Sequence, residues 1–162
     1  MTPSPYAKYL EGKPAMRALE DTPAAIEVMT RQWPRERYEM AHAPGKWTAR
    51  QVLVHLAQTE MVLATRLRFT LADADYVIQP FDQDDWMRAE PDGPAVDALQ
   101  AYLALRRMTL SLCRTLSSEQ RSRTATHVEF GRIDVEWLLA WLAGHELNHL
   151  PQLAEVDRTG GA

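Results

Sequence analysis

Three histidines, His55, His145 and His149, are the residues of this chain whose types and spacing best suit chemistry. His145 and His149 are four residues apart, so on a helix they lie about 40° apart and one turn up, on one face. Leu138 and Leu142 precede them on that face, and Leu153 and Val156 continue it. His55 falls in a similar row with Val52, Thr59 and Val62. Three of the five histidines are therefore expected to point into an apolar interior. An unpartnered buried polar group costs roughly 1–3 kcal/mol, so three imidazoles need a common solution. One solution is a divalent metal ion held by the three neutral ring nitrogens. The other is a hydrogen-bonded polar core, and spacing alone leaves both open.

His145-Glu146-Leu147-Asn148-His149 is also a literal H-E-x-x-H, the zinc-protease pattern. That chemistry needs a third ligand further on and a glutamate acting as general base. The metzincin form places a glycine three residues after the second histidine and a ligand six after it. Here those positions hold Gln152 and Glu155. Without the glycine the helix is expected to continue and carry Glu155 away from the site. Glu146 sits about 100° around the helix from His145 and reads as a residue behind the site or on the surface. Asn148 and Gln152 are placed to hydrogen-bond around the site. No catalytic residue follows from these positions.

Four helices are expected to position the histidines. The first begins at Thr22-Pro23, a capping threonine with proline in the first turn, and ends near Trp33 before Pro34. Residues 1–20 read as an irregular arm, with at most a short helical turn from Ala15 to Leu19. Thr48 and Gln51 form a capping-box pattern that opens a second helix running to about Leu71. A long crossover, Ala72 to Asp92, follows; it can span a bundle and permits the second and third helices to run parallel. Gly93-Pro94 starts the third helix, which continues to about Leu116. In the link from Ser117 to Ile133, Thr126–Glu129 and Ile133–Val135 flank Phe130-Gly131 as a candidate hairpin. Asp134 caps a fourth helix to about Val156, and Gly160-Gly161 closes the chain. The reading is all-α: one four-helix-bundle domain over residues 1–162.

Composition narrows the function. With 162 residues, 46% hydrophobic and 25% charged, the chain can bury a core without staples. A net charge of −4 and no basic run argue against nucleic acid. No stretch approaches the ~18 apolar residues of a membrane span, and a cytoplasmic protein is expected. The lone Cys113 reads as a core filler. Trp137 and Trp141, one turn apart, are expected to pack against neighbouring helices. Trp47 and Trp86 read as core or rim packing rather than a roof over a pocket. Arg66, Arg68, Arg106 and Arg107 read as a solvated face paired with carboxylates. His42 and His127 lie in links and receive no role.

Gly45-Lys46-Trp47-Thr48, with Val52 to Leu56 and Glu60, resembles the second-helix signature of the DinB/YfiT-like superfamily, and His145 to Leu150 with Gln152 resembles its fourth. Arg66-Leu67-Arg68, Asp84-Asp85-Trp86 and Leu105-Arg106-Arg107 extend the likeness over roughly residues 15–158. The resemblance implies an up-down-down-up bundle and ligand roles for His55, His145 and His149. It also implies zinc or nickel, a low-molecular-weight thiol cosubstrate in some members, and a homodimer. The expected function is a metal-dependent enzyme activating a thiol or water on a small-molecule substrate, as a thiol-dependent S-transferase or a hydrolase. The alternative is a non-catalytic metal-binding or stress-related interaction protein. Pro151 departs from the glycine common in relatives and is expected to kink the helix or loosen its last bonds.

Overall fold

A computed structural model describes residues 3–159. After a 3₁₀ turn at Ala7–Leu10 come α1 (Ala15–Thr30), α2 (Arg35–Tyr38), α3 (Ala49–Ala72), β1 (Val77–Ile78), α4 (Gln83–Ala89) and α5 (Ala95–Thr115). Then follow α6 (Ser118–Arg121), β2 (Thr124–His127), β3 (Gly131–Asp134) and α7 (Val135–Thr159). The expected closing Gly160-Gly161 lies outside the described residues.

The four long helices α1, α3, α5 and α7 form the bundle. Leu53 and Leu56 share one core cluster with Ala95 and Leu99, while Leu63 and Leu67 share the other with Leu110 and Cys113. α3 and α5 therefore run parallel. In the same way Leu19 groups with Leu138 and Leu142, and Ile26 with Leu153 and Val156, so α1 and α7 also run parallel. Thr48 caps the start of α3 as expected: its Oγ accepts from the Gln51 amide at 3.2 Å and its own amide donates to Gln51 Oε1 at 2.9 Å. Asp134 caps α7 by accepting from the Trp137 amide at 2.7 Å.

Two expectations need correction. The chain is mostly helical but not all-α, because β1, β2 and β3 form a three-stranded sheet. β2 and β3 pair antiparallel from Thr124↔Asp134 to His127↔Gly131, two residues earlier than the sequence pattern places the first strand. Gly131, at φ 71°, takes the left-handed position that ends a three-residue hairpin loop. β1, inside the crossover, joins β2 in parallel with Val77 opposite Thr126.

The second correction concerns the arm. α1 starts at Ala15, not Thr22, and Pro23 lies inside it. Thr22 bonds back to the Ala18 carbonyl at 2.9 Å instead of capping. Pro23 has no N–H for the Leu19 carbonyl, and Arg106 Nη1 supplies the missing donor at 3.2 Å. A long-range bond thus makes an interior proline tolerable. Pro151 lies within α7, which runs on to Thr159. Upstream, the N-terminal segment crosses α7 at Gly144, where an added Cβ would run into the Tyr6 carbonyl.

Candidate metal centre

α3 and α7 lie side by side in opposite directions and bring His55 against His145 and His149. The His55 and His145 Nε2 atoms are 2.9 Å apart, and those of His145 and His149 are 3.2 Å apart. The three rings are 1%, 1% and 7% exposed, so solvent cannot satisfy them. Together they form a group able to hold a metal ion. Burial pushes His55 down to about 3, with His149 adding to the shift. His145 is held well below its ordinary value by burial, then by His149 and His55. His149 is lowered by burial, opposed by its bond to Gln152 and reinforced by His42. Neutral imidazole, the ligating form, is therefore favoured at all three positions.

Gln152, one turn beyond His149, turns its Oε1 to His149 Nδ1 at 3.1 Å. That amide orientation is assigned from the bond itself. It places the ring proton on Nδ1 and leaves the Nε2 lone pair facing the other histidines. Aromatic rings hold the remaining two. Trp141 stacks on His145 at 4.9 Å and 7°, and Tyr6 meets the same ring edge-on at 5.1 Å. Trp47 tilts against His55 at 5.0 Å. The Nδ1 atoms of His55 and His145 are buried without a partner among the described residues.

Directly behind the triad lies an ion cluster. Arg106, 1% exposed, donates through Nε to Glu60 Oε2 at 3.2 Å and through Nη1 to Glu146 Oε2 at 2.9 Å; its Nη2 also meets both carboxylates. Thr109 donates to Glu60 Oε1 at 2.8 Å. Burial opposes the Arg106 charge, but Glu146, Tyr102 and Glu60 outweigh it and hold the guanidinium protonated well above its ordinary range. Arg106 and Arg66 thus correct the expectation of a solvated arginine face. Both continue inward rows, Leu99–Leu103–Arg106–Leu110 and Thr59–Leu63–Arg66–Thr70, a signal present in the sequence.

Glu146 has both oxygens committed to Arg106, which leaves the H-E-x-x-H pattern without its general base. Glu155 bonds Arg158 on the continuing helix, not the triad. The fold brings together His55, His145, His149 and Gln152, while Asn148 makes no hydrogen bond at the site among the described residues.

A family model for the DinB superfamily matches residues 18–153. The chain belongs to the DinB superfamily. Within it, a candidate metal-dependent hydrolase of Oceanobacillus iheyensis is 30% identical over 141 residues, 85% of this chain and 82% of that protein. YfiT of Bacillus subtilis, named as a hydrolase candidate of the same kind, is 29% identical over 157 residues, 90% of this chain and 84% of YfiT. The solved YfiT structure, described as having an unusual four-helix bundle topology, matches with a TM-score of 0.80 at 23% identity. It covers 99% of this chain and 90% of that one.

The superfamily match contains all three histidines and the Arg106 cluster; Tyr6 lies before it. Tyr6 and His42 escaped the sequence reading because both sit in irregular segments, where no periodicity marks an inward side chain. Trp141 packs against the core cluster that holds Leu63 and Leu67 of α3 and also stacks on His145, and Trp137, within that cluster, lies against Phe130 of the hairpin at 5.2 Å. Trp47 lies against the triad, whereas Trp86, 40% exposed, rests on Phe81 of the crossover.

Proposed function

We propose that this DinB protein is a metal-dependent enzyme whose His55, His145 and His149 hold one divalent ion, zinc or nickel, through Nε2. The observation that carries this reading is the convergence of three neutral histidines, with the Nε2 atom of His145 2.9 Å from that of His55 and 3.2 Å from that of His149, and all three ligand atoms within 4.8 Å of one another. Metal–nitrogen bonds of 2.0–2.1 Å in a tetrahedron put the nitrogens roughly 3.3 Å apart, close to that spacing. A hydrogen-bonded polar core fits less well. One proton on His145 Nε2 serves only one of its two neighbours, and two Nδ1 atoms stay unpartnered as well.

A divalent ion held there supplies the Lewis acidity that activates a water or a thiol near neutral pH. The protein's own residues set the stage for it. Gln152 fixes the His149 tautomer, Trp141 and Tyr6 hold the His145 ring, and Trp47 screens His55. The names of the relatives favour hydrolysis, and we take a small molecule as the substrate. Thiol transfer would need an external low-molecular-weight thiol, because Cys113 is buried and its thiol is pushed up to about 11, chiefly by burial. A single-domain, cytoplasmic homodimer completes the reading; none of the helices among the described residues is long and apolar enough to cross a membrane.

The test is elemental analysis of protein purified without chelator, joined to ester, amide and thiol-transfer assays of wild type and His145→Ala. About one ion per chain and turnover lost with the histidine support the enzyme. Metal without turnover favours the non-catalytic alternative, and no metal after zinc or nickel addition overturns the site.

A further inference from the structure

Arg66 is a buried cation without a counter-ion. It is 8% exposed, and its Nη2 donates to the Gln79 carbonyl at 2.6 Å. Among the described residues no carboxylate lies within ion-pairing distance of it. Arg106, deeper still at 1% exposure, has two. A guanidinium taken out of water without an anion is costly, because no opposite charge offsets its lost hydration.

The surroundings of Arg66 are built for a ligand. It lines a cavity of about 280 Å³ between α3, α7, the crossover and the β2–β3 hairpin, walled by Phe81, Phe130, Trp137 and Trp141. Small-molecule pockets are mostly apolar and aromatic with few polar groups, and range upward from about 300 Å³. His127 also lines this cavity. Its Nδ1 faces the amides of Glu129 at 3.1 Å and Phe130 at 3.4 Å, so it acts as an acceptor and the ring proton belongs on Nε2. His127 therefore adds a neutral N–H donor beside the Arg66 charge. The exposed Glu129 carboxylate at the rim disfavours a dianion such as a phosphate monoester.

We propose that this cavity binds a small aromatic carboxylate, its acid group on Arg66 and His127 and its ring among the aromatic walls. The pocket is separate from the metal centre but shares a wall with it. Trp141 lines the cavity and stacks on His145, and Tyr6 borders both. The inference does not rest on the metal reading, and it gives His127 a binding role that its place in a link does not suggest.

The experiment titrates full-length protein with benzoate and with its neutral isostere benzamide, followed by tryptophan fluorescence and calorimetry. Wild type, His55→Ala and Arg66→Gln are compared. Saturable benzoate binding at least tenfold tighter than benzamide is expected in wild type and in His55→Ala, and that preference is expected to vanish in Arg66→Gln. Equal affinity for acid and amide overturns the proposal, as does the lack of saturable benzoate binding at millimolar concentration. A preference that disappears in His55→Ala also overturns it, because the acid then sits at the histidines. Should Arg66→Gln fail to fold, the acid–amide ratio in the two other proteins still decides.

Discussion

The Arg106 cluster and the histidine triad lie back to back along α7, through the adjacent residues Glu146 and His145, and solve burial in opposite ways. Around Arg106 the charged groups are answered from within the chain, and the neighbouring Tyr102 hydroxyl alone in that cluster lacks a partner among the described residues. The Arg106 guanidinium meets Glu60, Glu146 and the Leu19 carbonyl, and Thr109 takes up the remaining Glu60 oxygen. In the triad, three nitrogens face one another and two more have no partner among the described residues. A saturated cluster fixes packing, since its members have no valence left for a ligand. An unsaturated one, equally deep, is a standing cost that a bound ion relieves. The difference separates structure from chemistry more clearly than burial does, because both clusters are almost fully buried.

The largest effect that can break this comparison is on metal content. His55→Ala, His145→Ala and His149→Ala are each expected to drop it from about one ion per chain to near zero, with His127→Ala unchanged, as measured by elemental analysis. Retention in all three triad variants would show that the unsaturated cluster is not a ligand set.

Next in size is Arg106→Met. It leaves two carboxylates facing each other in the core, and a loss of about 3–5 kcal/mol is expected by urea unfolding. The Leu19 carbonyl opposite Pro23 loses its donor in the same variant. An unfolding midpoint matching wild type would mean that the cluster is not saturated as described.

Acid separates the clusters in a third way. The triad histidines have folded values below their ordinary 6.5, with His55 at about 3. The unfolded chain therefore binds more protons than the folded one between those limits. Stability of metal-free protein is expected to hold above pH 6.5 and to fall as pH drops toward 3, by about 1.4 kcal/mol per pH unit for each proton taken up on unfolding. Replacing His55 with Ala is expected to flatten that slope; an unchanged slope would break the assignment. The smallest effect belongs to Glu155→Ala. Metal affinity is expected to match wild type, because Glu155 bonds Arg158 along the outer face of α7. A loss of binding there would revive the protease-like ligand set.

Much of the site was legible because helical periodicity is local. The i, i+4 pair on α7 and the row through His55 put three imidazoles on inward faces, and Thr48 and Asp134 marked the starts of their helices. Arg106 and Arg66 were legible by the same rule but read as surface, since charge outweighed their place in apolar rows. The start of α1 was misread for a different reason. A proline after threonine normally signals a first turn, and only the Arg106 side chain, 87 residues beyond the Leu19 carbonyl it meets, makes it an interior turn.

What the sequence determined by itself was therefore the set of inward-facing groups: three histidines, their helical faces and the caps that set register along α3 and α7. Each depends on contacts within about one turn of helix, which any reader of the chain can count. Tertiary structure decided which of those groups meet. It joined His55 to the α7 pair, gave Arg106 two carboxylates and gave Arg66 none, and laid Tyr6 across Gly144 against His145. Such pairings depend on the packing of elements distant in the chain, where one buried charge finds its partner and another, on a similar row, finds a cavity.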